Sequence, residues 1–534
     1  MANPLKQLAG ETAIYGLSSI LARVLNFMFV PIYTRMLTTA QYGVVTEFMA
    51  YIAILQVVLV LGLETGCFRF ANKEGADPAK VYSNALLAVF GLNLAFLAVI
   101  VGFRGGIAAA LGYDGYGAMV AYVAGILFCD SLTAILFAKL RQEHKAVKFA
   151  VLKTVKILTE TGANLLLFFL YPAFAAAHPA NPLSGLISAT PDFNYPIFAI
   201  FVSCVVCLVL FLPDLVKFRF SFDKGVMGKM LLYSLPLMVA SLPGVANDFL
   251  DRVLFRYFDT SSAVWQSSLG VYQAAVKLAV IMNLFIQMFR YAAEPFFFQR
   301  AREKGSNELY AEVMEYFTAF CGLVLLGVVG YIDVISLILG RDFRVGVAVV
   351  PVMLLSYMLL GMLFNVSMWY KLSGKTQMAI WITLAGLAVT IVVNVVFMPR
   401  FSYWASAFGH LASYLVMFVL SASLGAKYYP IPYKWGRILL IFVIMGASYG
   451  LMVLADFFIG GGAAGASGAV AADLASGTAG AVGAGTSGSA GASLSHGGMW
   501  LRMGLNTVAI LAYLACCWLL FGRSLKRSLK RADA

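Results

Sequence analysis

Apolar runs of about 20 residues, each broken by no more than an occasional charge, recur along the whole of this 534-residue chain. That is the length a helix needs to cross the hydrocarbon core of a bilayer, where only helices and closed barrels satisfy their own backbones. Barrel strands alternate apolar and polar residues over about ten positions, and the runs here are continuous instead. Composition agrees: 61% of residues are hydrophobic and 12% charged, against about 25% charged in soluble chains. The expected fold is an all-α polytopic membrane protein of about fourteen transmembrane helices.

The runs place spans near 11–33, 41–66, 81–103, 117–138, 149–172 and 195–215, then 229–256, 265–289, 310–330, 348–370, 378–398 and 402–424. Two more fall near 436–457 and 499–521, and Tyr331–Gly340 either extends the ninth helix or forms a short interfacial piece. With the N-terminus on the cytoplasmic side, 28 lysines and arginines fall in cytoplasmic segments and 8 on the opposite side. The group from Lys139 to Lys156 is counted as cytoplasmic, and only Arg23 and Lys277 are left inside helices. This asymmetry is the positive-inside pattern and puts both termini in the cytoplasm. The net charge of +13 is then topogenic, with attraction to anionic headgroups beside it. The basic tail 523–531 lacks interleaved aromatics, so no nucleic-acid partner is expected.

Soluble chemistry is absent from the pattern. Cys204 and Cys207 sit three residues apart in an apolar run without nearby histidine, and read as packing residues. The four histidines are scattered, so no metal site is expected. No phosphate-binding glycine loop, nucleophile elbow or catalytic domain is present, and no enzyme activity is expected. The segment 460–498 is rich in Gly, Ala and Ser and has no aromatic residue. It reads as a flexible exterior linker.

An internal repeat is faintly legible: Tyr15-x-Leu-x4-Ala in the first span parallels Tyr233-x-Leu-x4-Ala in the seventh. Six helices per half give parallel repeats, a transporter plan. The expected organisation is a six-helix bundle over 1–228, a second over 229–426, and two additional helices with the linker over 427–534.

The segment PIYTRMLTTAQYGVV after the first span, Leu61-Gly62-Leu63 with Arg69-Phe70, and Phe289-Arg290-Tyr291 with Glu294-Pro295 form an ordered series of motifs. Lys371-Leu372-Ser373-Gly374-Lys375 and Asn394 with Pro399 continue it. Over about residues 8–450 the chain resembles the Wzx-type polysaccharide flippases, of the superfamily that also holds drug/cation antiporters and lipid II flippases. It departs at Tyr403–Ala407, where members often have a Gly-rich helix start, and in its last two spans.

The resemblance implies translocation of a polyprenyl-pyrophosphate-linked oligosaccharide across the inner (plasma) membrane by alternating access, for surface polysaccharide, O-antigen or lipopolysaccharide biosynthesis. Partners would be that substrate, membrane lipids, a glycan polymerase and other polysaccharide-assembly proteins. Such cargo calls for cations inside the bilayer. Arg23 lies about 18 Å into the first span, and Lys277 lies equally deep in the eighth. An intramembrane charge is costly and belongs against protein or water. Arg23, Lys277, Arg290, Asp251 and Arg252 are therefore the expected substrate-binding residues. Glu64 or Glu160 could neutralise Arg23, and Asp130 or Asp251 could neutralise Lys277. Asp251-Arg252 and Asp248-Arg256 are spaced so that neither pair is expected to meet along one helix face. No cofactor is expected; coupling to a proton or sodium gradient would run through Glu64, Asp130 or Glu160. The alternative is a small-molecule or drug/cation antiporter of the same fold.

Overall fold

The computed structural model describes residues 20–21, 23–73, 77–179, 181–216, 220–300, 305–459 and 496–532. Among them the chain is helical and contains no strand. Among the described residues, thirteen helices are long and apolar enough to cross a membrane, from Thr39–Ala71 to Trp500–Leu520. Each coincides with an expected span. The remaining one, 11–33, and the 460–498 segment lie largely outside the described residues. Tyr331–Gly340 resolves as a separate short helix rather than an extension, because Gly330 ends one helix and Ile332–Ser336 forms the next.

The principal helices are α1 Val30–Met36, α2 Thr39–Val60, α3 Leu63–Ala71, α4 Pro78–Gly102, α5 Gly117–Gln142, α6 Ala146–Leu165, α7 Asn194–Leu210 and α8 Lys224–Phe258. They continue with α9 Trp265–Arg300, α10 Ser306–Gly330, α11 Ile332–Ser336, α12 Val350–Val366, α13 Met378–Phe401, α14 Tyr403–Tyr428, α15 Trp435–Ile459 and α16 His496–Ala532. The chain divides into two compact units, Met1–Val253 and Leu254–Ala534.

In the first unit, the second span is not one helix. Thr38 starts α2 with a capping box closed by Gln41, but Leu61 and Gly62 adopt φ of 57° and 66°. These two left-handed residues end α2, and α3 restarts at Leu63. A broken helix leaves carbonyls without partners, which lipid does not tolerate. Asn93 of α4, fully buried, supplies the missing donor: its Nδ2 bonds to the Leu59 carbonyl at 3.1 Å. Gly62 suits the break for two reasons, since glycine accepts positive φ at no steric cost and a Cβ there would lie 2.6 Å from the Ser234 carbonyl of α8. Below the break, Leu63, Cys67, Val89, Ile135, Phe137, Phe149, Phe211 and Met230 form the apolar core. Pro236 and Pro243 lie inside α8, which runs through both.

In the second unit, α13 and α14 turn sharply at Ser402, whose φ is 45°. They then pack closely, because a Cβ on Gly386 would meet Met417 Sδ at 2.3 Å. Polar groups pair across this contact: Ser406 Oγ donates to Asn394 Oδ1 at 2.8 Å and Ser413 Oγ to the Gly386 carbonyl at 3.0 Å. The last two spans are fastened to α10. Asn506 Nδ2 donates to the Gly330 carbonyl and Tyr513 Oη to that of Ala319, both at 2.8 Å. Arg502, only 6% exposed, binds Asp333 of α11 at 2.9 Å and also contacts Asp456 of α15.

Candidate functional site

The α6 span is the least apolar of the thirteen, and little of it is buried inside the protein. The residues it exposes, Val147, Val151, Leu158 and Leu165, are apolar, so its charged residues are turned toward neighbouring helices. Its polar residues show how it is arranged. Lys153, Lys156, Glu160 and Asn164 recur at intervals of three and four residues, the spacing that gathers side chains on one helix face. They form a polar stripe about 16 Å long.

Each rung meets a different neighbour. Lys153 Nζ lies 4.4 Å from the Phe137 ring centroid and 6.0 Å from that of Phe149. Lys156 Nζ donates to Asp130 Oδ1 of α5 at 2.6 Å. Glu160 lies one turn from Asn164 and within electrostatic reach of Tyr33. Asn164 Oδ1 accepts from Tyr33 Oη at 3.0 Å. The group from Lys139 to Lys156 therefore does not lie wholly outside the membrane as counted from the sequence. Lys153 and Lys156 lie inside the expected span 149–172 itself and inside α6, and the carboxylate of Asp130 pairs with the deeper one.

The other expected residues fall as follows. Glu64 Oε2 accepts from Arg141 Nη2 at 3.0 Å, so one of the two acids considered for Arg23 is engaged by α5. Asp130 is engaged by Lys156. Arg23 is exposed, and Lys277 is half-buried among the buried Ala274, Val276 and Leu278. Arg290 stacks 4.6 Å above Phe364, beside Asn365 and Lys371 in a shallow recess. Asp251 and Arg252 correct the sequence reading: they do pair, with Arg252 Nη1 2.7 Å from Asp251 Oδ1. The long guanidinium folds back along its own helix and also bonds the Asp248 carbonyl. Arg256 stacks on Trp265 at 4.9 Å.

Sequence reasoning passed over Glu47, which is completely buried in α2. Its carboxylate accepts from Tyr51 Oη at 2.7 Å and Tyr113 Oη at 2.5 Å. An acid inside an apolar run was the available signal. Glu315 was passed over too; it is 2% exposed and faces Lys434 at 3.5 Å and Arg437 at 3.3 Å. Cys204 and Cys207 are buried. Among the described residues, no group of three or more His, Cys, Asp or Glu is placed to hold a metal.

A family model described as polysaccharide biosynthesis protein matches residues 8–301. No curated protein matches the sequence significantly. Among solved structures, a lipid II flippase MurJ in an inward closed conformation superposes with a TM-score of 0.68 at 11% identity, over 95% of this chain and 99% of that one. A MATE in complex with MaD3S gives 0.53 at 11% identity, over 79% and 94%. A Vibrio cholerae MATE transporter gives 0.51 at 11% identity, over 79% and 96%. At such identities the likeness establishes a shared fold.

Proposed function

The chain belongs to the polysaccharide biosynthesis protein family, and we propose that it is a flippase moving a polyprenyl-pyrophosphate-linked oligosaccharide across the inner membrane by alternating access. O-antigen or another surface polysaccharide is the proposed product, with a glycan polymerase among its assembly partners. The observation that carries this reading is the charged stripe of α6, a feature with no place against lipid and a ready use along a hydrated path for a polar glycan. Agreement with the lipid II flippase fold over 95% of the chain supports it.

In this reading two six-helix bundles, 1–228 and 229–426, alternate the path's exposure, and both termini are cytoplasmic. Arg23 and Lys277 each contribute a cation to the path. Arg23 can grip phosphate oxygens with two donors, whereas Lys277 acts as a point charge. Arg290 and the Asp251–Arg252 pair guard its ends. No cofactor is needed beyond a proton or sodium gradient. Coupling would run through Glu64, Asp130 or Glu160, of which Glu64 and Asp130 each hold a cation within 3.0 Å.

A drug/cation antiporter is the second reading, and buried Glu47 with its two tyrosines favours it, since a cationic drug needs an acid. Surface-glycan export in cells separates the two. At matched protein abundance, Arg23→Ala and Lys277→Glu should each lower export at least about tenfold, the loss of one charge-assisted contact worth about 1.5–3 kcal/mol. Normal export by both variants, together with ethidium efflux that Glu47→Gln abolishes, would establish the antiporter instead.

A further inference from the structure

The Lys371–Lys375 motif has no part in the path described above, yet the structure builds something from it. Trp369, almost fully buried, donates from Nε1 to Ser421 Oγ at 3.2 Å. Its ring is pressed against Gly425, where a Cβ would lie 2.9 Å from Trp369 Cδ1. Fixed in this way, it stacks on Tyr428, with centroids 5.8 Å apart and an angle of 17°. Tyr428 then presents its ring to two ammonium groups: Lys375 Nζ at 3.6 Å and Lys427 Nζ at 5.6 Å. The left-handed Gly374, at φ 72°, turns the chain so that Lys375 comes back over the ring.

Two cations over one ring are no more than about 9 Å apart. Among the described residues neither has a carboxylate within ion-pair distance, whereas Lys434 and Arg437 nearby in sequence share Glu315. The hydroxyl of Ser373, in the same turn, has no hydrogen-bond partner. Ring faces attract a cation but do not neutralise it. The place is also specific: Leu372, Met378 and Tyr428 are the ends of three spans. Tyr428, exposed at a span end, is the residue type found at the depth of lipid headgroups.

We propose that Lys375, Lys427 and the Trp369–Tyr428 stack form a binding site for the phosphodiester headgroup of an anionic phospholipid in the adjoining leaflet. The lipid phosphate lies between the ammonium groups, and its glycerol rests on the exposed edge of Tyr428. Basic recesses at span ends are suited to such headgroups. Phosphate is also the chemistry of the proposed cargo, but Lys375 and Lys427 are exposed residues at or beside span ends, which favours the resident lipid.

The test uses the full chain in a neutral detergent at 100 mM salt, titrated with dioctanoyl phosphatidylglycerol, dioctanoyl phosphatidylcholine and inorganic pyrophosphate. Phosphatidylglycerol should bind and phosphatidylcholine should not. The double variant Lys375→Gln, Lys427→Gln should weaken phosphatidylglycerol binding at least tenfold, and Lys375→Arg with Lys427→Arg should retain it. Lys434→Gln, whose charge is already engaged, should leave it unchanged. Equal losses in Lys434→Gln and in the double variant would reduce the site to general surface charge and overturn the proposal. So would unaltered binding in the double variant. Pyrophosphate that binds more tightly and displaces the lipid would overturn it in favour of a cargo site. Transport plays no part in this readout, so failure here is distinct from failure of the flippase reading.

Discussion

Lys156→Met is expected to cost about 3 kcal/mol of stability, because it leaves the Asp130 carboxylate inside a span without its cation. The pair is mostly enclosed, with side-chain exposures of 17% and 27%, and its contact is 2.6 Å. Breaking such a pair costs far more than the pair itself contributes, since the survivor keeps its desolvation penalty. The double variant Asp130→Leu, Lys156→Met should therefore recover most of the loss. Thermal unfolding of the purified protein in detergent measures both. If the single variant melts with the parent, Asp130 reaches water and the α5–α6 contact is open. If the double variant is as unstable as the single, the pair holds the helices by shape rather than charge.

The next largest effect is expected at the break in the second span. Gly62→Ala must place a side chain in the left-handed region, at about 1 kcal/mol, and drive its Cβ to 2.6 Å from the Ser234 carbonyl. Backbone cannot step aside as a side-chain tip can, and overpacking of this kind adds about 1–3 kcal/mol. Gly91→Ala is the control. Gly91 lies in the interior of α4 with open space around its Cβ position, and alanine there should stabilise by about 0.5–1 kcal/mol. The two substitutions should thus move the melting temperature in opposite directions. A shift of the same sign in both would show that α8 does not sit against the break.

The spans were legible because a long apolar run has one solution in lipid. Their ends were less so, as α6 starts at Ala146 rather than 149, and Lys153 and Lys156, inside the span on either bound, belong to it and not to the cytoplasmic count. The break at Leu61–Gly62 lay in plain view as a motif. Its meaning depended on Asn93 and Ser234, which are distant in sequence and reach it only through packing. Charges are the least legible feature. Spacing along one helix could not show that Glu64 would find Arg141, or Asp130 find Lys156, because those partners come from a neighbouring helix. The Asp251–Arg252 contact was missed for the opposite reason. A flexible guanidinium escapes the face-matching rule that governs shorter side chains.

Arg502 makes the last span depend on its neighbours. Ribosomes deliver helices in order, and an arginine at the mouth of the last span is a poor candidate for release into lipid by itself. Its two acids come from helices made earlier, Asp333 from α11 and Asp456 from α15. The charge of Arg502 is therefore compensated only where α11 and α15 both lie beside α16. A charge compensated from two other helices ties α16 to both of them at once.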